Sequence, residues 1–195
     1  MLTGGSTPGR AYELAAELRR DWSTVELWWG DERAVPPEHE WSNYGLAKRS
    51  LLDRVDVMPR AVHRIAGELG AEDAATRYDA ELREVVPDVV LLGLGPDGHV
   101  ASLYPNEPTL RERERRAVAA EARLEPFVSR VTMTFPVLCA APLVVYLVAG
   151  ASKAEAAARA FAGPPEEATP ASLARSESGR TLAILDHDAA AGLGS

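Results

Sequence analysis

Asp97 and His99 stand two residues apart in Gly93-Leu94-Gly95-Pro96-Asp97-Gly98-His99, directly after the apolar run Val89-Val90-Leu91-Leu92. A strand end followed by a tight turn is where α/β sheets place their chemistry. Histidine is the side chain whose free pKa lies nearest neutrality, which makes it the default general base. A carboxylate two residues away can orient it. A Pro-Asp-Gly tripeptide is also simply a good turn, so the pair carries weight through its position after the strand.

Three further segments offer chemistry. Gly4-Gly5-Ser6-Thr7-Pro8 leads into a helix. Its glycines let backbone approach a ligand, the amides at the helix start suit phosphate, and Ser6 and Thr7 add hydroxyl donors. The ordinary reading is a glycine loop with Ser6 or Thr7 as helix cap. Gly30-Asp31-Glu32-Arg33 also follows a strand. If the chain stays extended, Asp31 and Arg33 share a side. Arg33 offers a planar, multi-donor cation for a phosphate or an oxyanion, and Asp31 a carboxylate for sugar hydroxyls or for orienting a neighbour. The ordinary reading is a solvated, charged strand end. Gly150-Ala151-Ser152-Lys153 is again strand then helix, and Lys153 is one of only two lysines. A lysine in a first helical turn opposes the helix dipole, which suggests an anionic partner; the ordinary reading is a surface lysine.

Elements must hold these groups. Residues 25–30, 88–93, 142–150 and 181–186 read as strands, and 9–20, 42–54, 72–86 and 152–161 as helices. Residues 130–135 alternate and read as a further strand. Strands alternating with helices predict an α/β fold: a doubly wound, mostly parallel sheet with helices on both faces, in a single domain over 1–195. Leu2-Thr3 reads as the end of a first strand that is incomplete.

Composition narrows the function. The net charge is −8, which argues against nucleic acid as partner. No apolar run reaches membrane-spanning length, and no signal peptide is evident before Gly4. Cys139 is the only cysteine, which suits a reducing cytoplasm. Gly93–Gly98 satisfies G-x-G-x-x-G, but Pro105 and Pro108 follow where a long helix should run, so it does not read as a dinucleotide fingerprint. His187, between Asp186 and Asp188, lacks a spaced third ligand for a metal. No G-x-S-x-G elbow is present, and Cys139 has no basic neighbour in sequence.

Taken together, Leu2–Pro8, Trp29–Pro36 with Ser42-Asn43-Tyr44, Gly93–Pro105, and Arg130–Thr134 with Gly150–Glu155 resemble the 6-phosphogluconolactonase family. Its fold is shared with glucosamine-6-phosphate deaminase and ribose-5-phosphate isomerase. The match runs over nearly the whole chain. The deaminase branch differs at two places: it carries Asp-Glu-Tyr where this chain has Asp31-Glu32-Arg33, and Ile-Ala-Phe-Asn-Glu-Pro where this chain has Val100–Pro105. The resemblance implies hydrolysis of 6-phospho-D-glucono-1,5-lactone without cofactor or metal. It implies His99 as base, Asp97 as its support, Arg33 and Asp31 at the reacting end, and Gly4, Gly5, Ser6, Thr7, Asn43 and Lys153 for binding the sugar phosphate. The expected partner is that small molecule, with no nucleic acid or membrane, for a cytoplasmic monomer or weak dimer. A deaminase-like isomerase and a non-catalytic sugar-phosphate-binding module are the alternatives. Family members carry a helix and a full strand before the glycine loop, so an apolar slot and lowered stability are expected here.

Overall fold

The structure, a computed structural model, describes residues 1–194. Its strands are β1 (Glu26–Trp28), β2 (Asp31–Arg33), β3 (Ala61–His63), β4 (Val89–Leu92), β5 (Ala117–Ala120), β6 (Arg130–Met133), β7 (Leu143–Val148) and β8 (Arg180–Leu185). The helices are α1 (Ser6–Leu18), α2 (Asn43–Ser50), α3 (Ala71–Glu81), α4 (Phe135–Leu138) and α5 (Ala154–Ala162).

β1 pairs with β3, and β7 pairs with both β4 and β8, all parallel. The first residues join these two groups. Met1 donates its ammonium to Val89 O and accepts from Leu91 N, while Leu2 donates to Trp28 O and accepts from Gly30 N. The parallel order is therefore β3, β1, residues 1–2, β4, β7, β8. Strands running this way need their crossovers packed as helices, which is the alternation read from the sequence. An apolar groove of about 740 Å³, lined in part by Met1, Trp28, Val89 and Val145, lies beside residues 1–2.

The sequence reading lacked one layer. β2, β6 and β5 form a separate antiparallel sheet in that order. Asp31 lies opposite Thr132 and Arg33 opposite Arg130. The chain passes from the parallel sheet into this one across Trp29 and Gly30 alone, and Met133 N donates to Gly30 O at the corner. The strand read at 25–30 is thus two strands on two sheets. Three-residue strands carry too little periodicity to be seen in sequence.

Two tyrosines fix the backbone that leads to the site. Tyr12 on α1 accepts from Thr3 N and donates to Thr3 O, both at 2.8 Å. Tyr78 on α3 accepts from Trp29 N at 2.9 Å and donates to Trp29 O at 3.0 Å. All four backbone groups are buried, so each phenol satisfies a donor and an acceptor that would otherwise cost about 1–3 kcal/mol apiece. One continuous core runs from Leu2 to Ala189, with Trp29, Tyr146, Leu92, Leu103 and Met133 fully enclosed. No helix among the described residues is long and apolar enough to cross a membrane.

Candidate active site

The ends of both sheets face a cavity of about 350 Å³. Its wall takes Gly93, Gly95 and His99 from the turn after β4, Asp31 and Arg33 from β2, Arg130 from β6, Thr3, Gly4 and Gly5 from the loop before α1, Asn43 from α2, and Lys153 from the turn before α5.

The turn after β4 is closed by Gly95 N donating to His99 O at 2.9 Å and Gly98 N donating to Gly95 O at 3.0 Å. Gly98 has φ of 95°, the left-handed region where a side chain is strained. This geometry presents Asp97 and His99 to each other: His99 Nδ1 lies 2.6 Å from Asp97 Oδ1, which also accepts from His99 N at 3.2 Å. Burial raises the Asp97 carboxyl pKa, but the His99 hydrogen bond, charge and backbone N–H outweigh it and leave the group below its ordinary range. An ionised carboxylate only accepts, so the proton between them belongs to Nδ1. Nε2 is then the nitrogen with a free lone pair. The ring packs on Tyr104 with centroids 4.8 Å apart. Lys153 stands near this pair. Burial pushes its ammonium down, and Asp97 partly offsets that.

Opposite lies a buried polar network. The Asp31 carboxylate accepts from Ser102 Oγ at 2.8 Å and from Asn43 Nδ2 at 3.1 Å. Asp31 is 5% exposed and its neighbour Glu32 is 2% exposed. The ordinary alternative of a solvated strand end therefore does not hold: both carboxylates are interior. Glu32 receives Asn43 N, Tyr44 N, Ser42 Oγ and Arg33 N, and so caps the start of α2 from another element. Burial raises the Glu32 carboxyl even against these donors. Asn43 is held twice by Asp31, through its carbonyl as well as its carboxylate. Its Oδ1 is buried with no partner.

Arg33 donates to Trp41 O, and Arg130 donates to Pro126 O at 3.2 Å. The Nε of each is buried and unpartnered. Two guanidiniums side by side in a wall, each with an unused donor, are a receptor for an anion.

The structure brings Gly4, Gly5, Asp31, Arg33, Asn43, His99 and Lys153 to one cavity, with Asp97 behind His99. Ser6 and Thr7 stand outside its wall in the first turn of α1. Neither caps that helix, because Gly5 holds the cap position and no side chain bonds there. Lys153 precedes α5 in a short 3-10 turn and does not sit in its first α-turn. Arg130, Tyr104, Ser102 and Glu32 were not singled out in sequence. The alternation at 130–133 was visible, but its pairing with 31–33 spans a hundred residues and left no local signal. Among the described residues no group of three His, Cys, Asp or Glu side chains could hold a metal. Asp186 instead accepts from Gly150 N and Ala189 N.

Residues 1–183 match the family model for glucosamine-6-phosphate isomerases and 6-phosphogluconolactonase. A 6-phosphogluconolactonase of Streptomyces coelicolor is 41% identical over 99% of this chain and 81% of its own length. The solved 6-phosphogluconolactonase of Trypanosoma cruzi superposes with a TM-score of 0.86 at 29% identity, covering 100% of this chain and 83% of that one. A monomeric glucosamine-6-phosphate deaminase shares the fold, with a TM-score of 0.81 at 22% identity over 98% of this chain and 86% of that one. The glycine loop, the interior Asp31, the arginine beside it and the Asp97–His99 turn thus stand in a chain that belongs to the glucosamine-6-phosphate isomerase/6-phosphogluconolactonase family.

Proposed function

We propose that this chain hydrolyses 6-phospho-D-glucono-1,5-lactone to 6-phosphogluconate, with His99 as general base. The observation that carries this is the 2.6 Å contact between His99 Nδ1 and the ionised Asp97, in a cavity wall that also holds Arg33 and Arg130. A lactone is an activated ester, so a base and an oxyanion stabiliser suffice and no covalent intermediate is needed. His99 Nε2 takes a proton from water as the water oxygen attacks C1. Arg33 stabilises the oxyanion, a role worth about 3 kcal/mol. The intermediate collapses by breaking the bond from C1 to the ring oxygen, and His99 returns the proton to that oxygen. One water is consumed, and a carboxylic acid and a hydroxyl are formed. Asp97 keeps the imidazole in the required tautomer. The backbone of Gly4 and Gly5, the start of α1 at Ser6 and Thr7, and Lys153 hold the 6-phosphate. Asp31 and Asn43 support the opposite wall.

Arg33 in place of a tyrosine after Asp31-Glu32 supports the lactonase over the deaminase-like isomerase. We place the protein in the cytoplasm as a monomer or weak dimer; its single thiol, Cys139, is buried. The test is the hydrolysis of freshly generated lactone above its spontaneous rate. His99→Ala should lower kcat about 100-fold or more with KM retained. A folded variant with near-normal kcat removes His99 as base. Turnover of glucosamine 6-phosphate in place of the lactone would favour the isomerase.

A further inference from the structure

We propose that Arg130 binds an anionic oxygen of the substrate beside Arg33 and thereby fixes the 121–129 segment over the cavity. This rests on the hydrolytic reading above for the identity of the substrate.

Arg33 and Arg130 are directly opposed in the antiparallel ladder, so their side chains leave the same face. Like charges in that relation destabilise a sheet. Neither forms an ion pair among the described residues; each guanidinium donates only to a backbone carbonyl. Arg130 is nonetheless 4% exposed. A buried cation with no carboxylate in contact is costly, and an anionic substrate would supply that contact. Arg130 lines the cavity and its Nε is unused. A guanidinium has five donors in a fixed fork. Arg130 can therefore offer its remaining N–H donors to an anion while Nη2 keeps Pro126 O.

That second bond makes the residue more than a binding group. Pro126 belongs to the 121–129 connection between β5 and β6, whose Leu124 and Glu125 line the cavity. Its Phe127 is 73% exposed and shares a shallow depression with Trp41, whose own carbonyl is held by Arg33. Each arginine thus ties one aromatic-bearing loop to the anion site. An anion that immobilises the guanidinium has a differential contact with the ordered loop, as a ligand-driven shift requires.

The test uses the full chain, with 6-phosphogluconate as the stable probe. Arg130→Met should raise KM for the lactone about 10- to 100-fold, the range for a charged hydrogen bond, with kcat within about fivefold. Arg130→Lys, which keeps the charge without the fork, should recover part of this. Chymotrypsin cleavage after Phe127 should slow on adding 6-phosphogluconate to the wild type and stay unslowed in Arg130→Met at saturating probe. Inorganic phosphate and gluconate, used singly, assign the anion to the phosphate end or the carboxylate end. A folded Arg130→Met with wild-type KM overturns the binding role. Cleavage indifferent to the probe in the wild type overturns the loop coupling, and decides it even where Arg130→Met does not fold. A wild type that binds and is protected but does not hydrolyse the lactone sinks the hydrolytic reading while leaving Arg130's role standing.

Discussion

Gly95→Ala adds a single methyl group and alters neither Asp97 nor His99. A Cβ at position 95 would lie 2.0 Å from His99 Nδ1, 2.3 Å from His99 Cε1 and 2.6 Å from Asp97 Oδ1. Carbon contacts sit near 3.5–4.0 Å, so the methyl group lands on the shared hydrogen bond itself. The backbone has little room to yield, because Gly95 N and Gly95 O both close the turn. The imidazole must move by about an ångström or more, and the 2.6 Å contact breaks. A displacement of about 1 Å costs on the order of 100-fold, and losing a positioned base about 100- to 10,000-fold. We expect kcat to fall about 100- to 1,000-fold. KM should stay within about threefold, since the cationic wall is untouched. Overpacking of this kind costs about 1–3 kcal/mol, which lowers Tm by about 3–10 °C in a chain of this size.

The assay is initial-rate hydrolysis of fresh lactone with the spontaneous rate subtracted, beside a thermal melt. A double-mutant cycle sharpens it. In a His99→Ala background the added methyl group should cost less than about threefold, because the contact it disrupts is already gone. A folded Gly95→Ala enzyme with kcat within about threefold of wild type would refute the placement of the base. So would a full additional loss in the His99→Ala background.

Gly4→Ala acts on the other wall: its Cβ would lie 1.9 Å from Asn43 Oδ1, so Asn43 must leave Asp31. KM should rise about 10-fold and Tm should fall, while retention of both would show that Asn43 has room to move. Asp97 titrates below its ordinary 3.8 in the fold because the pull of His99 outweighs burial, so its pairing stabilises the protein above about pH 4 and is lost as acid carries the pH through the lower folded value. The Tm gap between wild type and Asp97→Asn should accordingly shrink as the pH falls from about 5 to below about 4; a gap that widens over that interval would reverse the assigned sign.

The parallel half of the fold was legible where its strands are long or nearly all apolar, as at Leu143–Val148 and Val89–Leu92, but the three-residue β3 was not read. The same legibility placed Asp97, His99 and Lys153, which ride on the turns after those strands. Of the antiparallel half only the alternation over β6 was legible, not β2, β5 or their pairing. Asp31–Arg33 is polar throughout and three residues long, and a strand of three charges reads as loop. Its burial comes from partners far away in sequence: Ser102 and Asn43 for Asp31, the start of α2 for Glu32. Arg130 was passed over for the same reason. Its place in the site depends on its register against Arg33, which no local pattern shows.

That division explains why the cavity lies where it does. The proposed base, His99, rides with Lys153 on the parallel sheet and the two arginines on the antiparallel one, and the proposed hydrolysis needs both at fixed separation. Ser102 supplies the link. It sits three residues after His99, donates its backbone N–H to Thr132 Oγ1 at 3.1 Å, and donates its hydroxyl to Asp31 at 2.8 Å. Thr132 and Asp31 are themselves partners in the β2–β6 ladder. The segment carrying the base is thereby docked on the face from which Arg33 and Arg130 project. A buried carboxylate is an expensive way to hold two sheets together unless its acceptors are filled. Here Asp31 is filled from both sides, by the segment of the base and by the helix that bears Asn43. Its place in the molecule is therefore to set the distance between His99 and the two arginines.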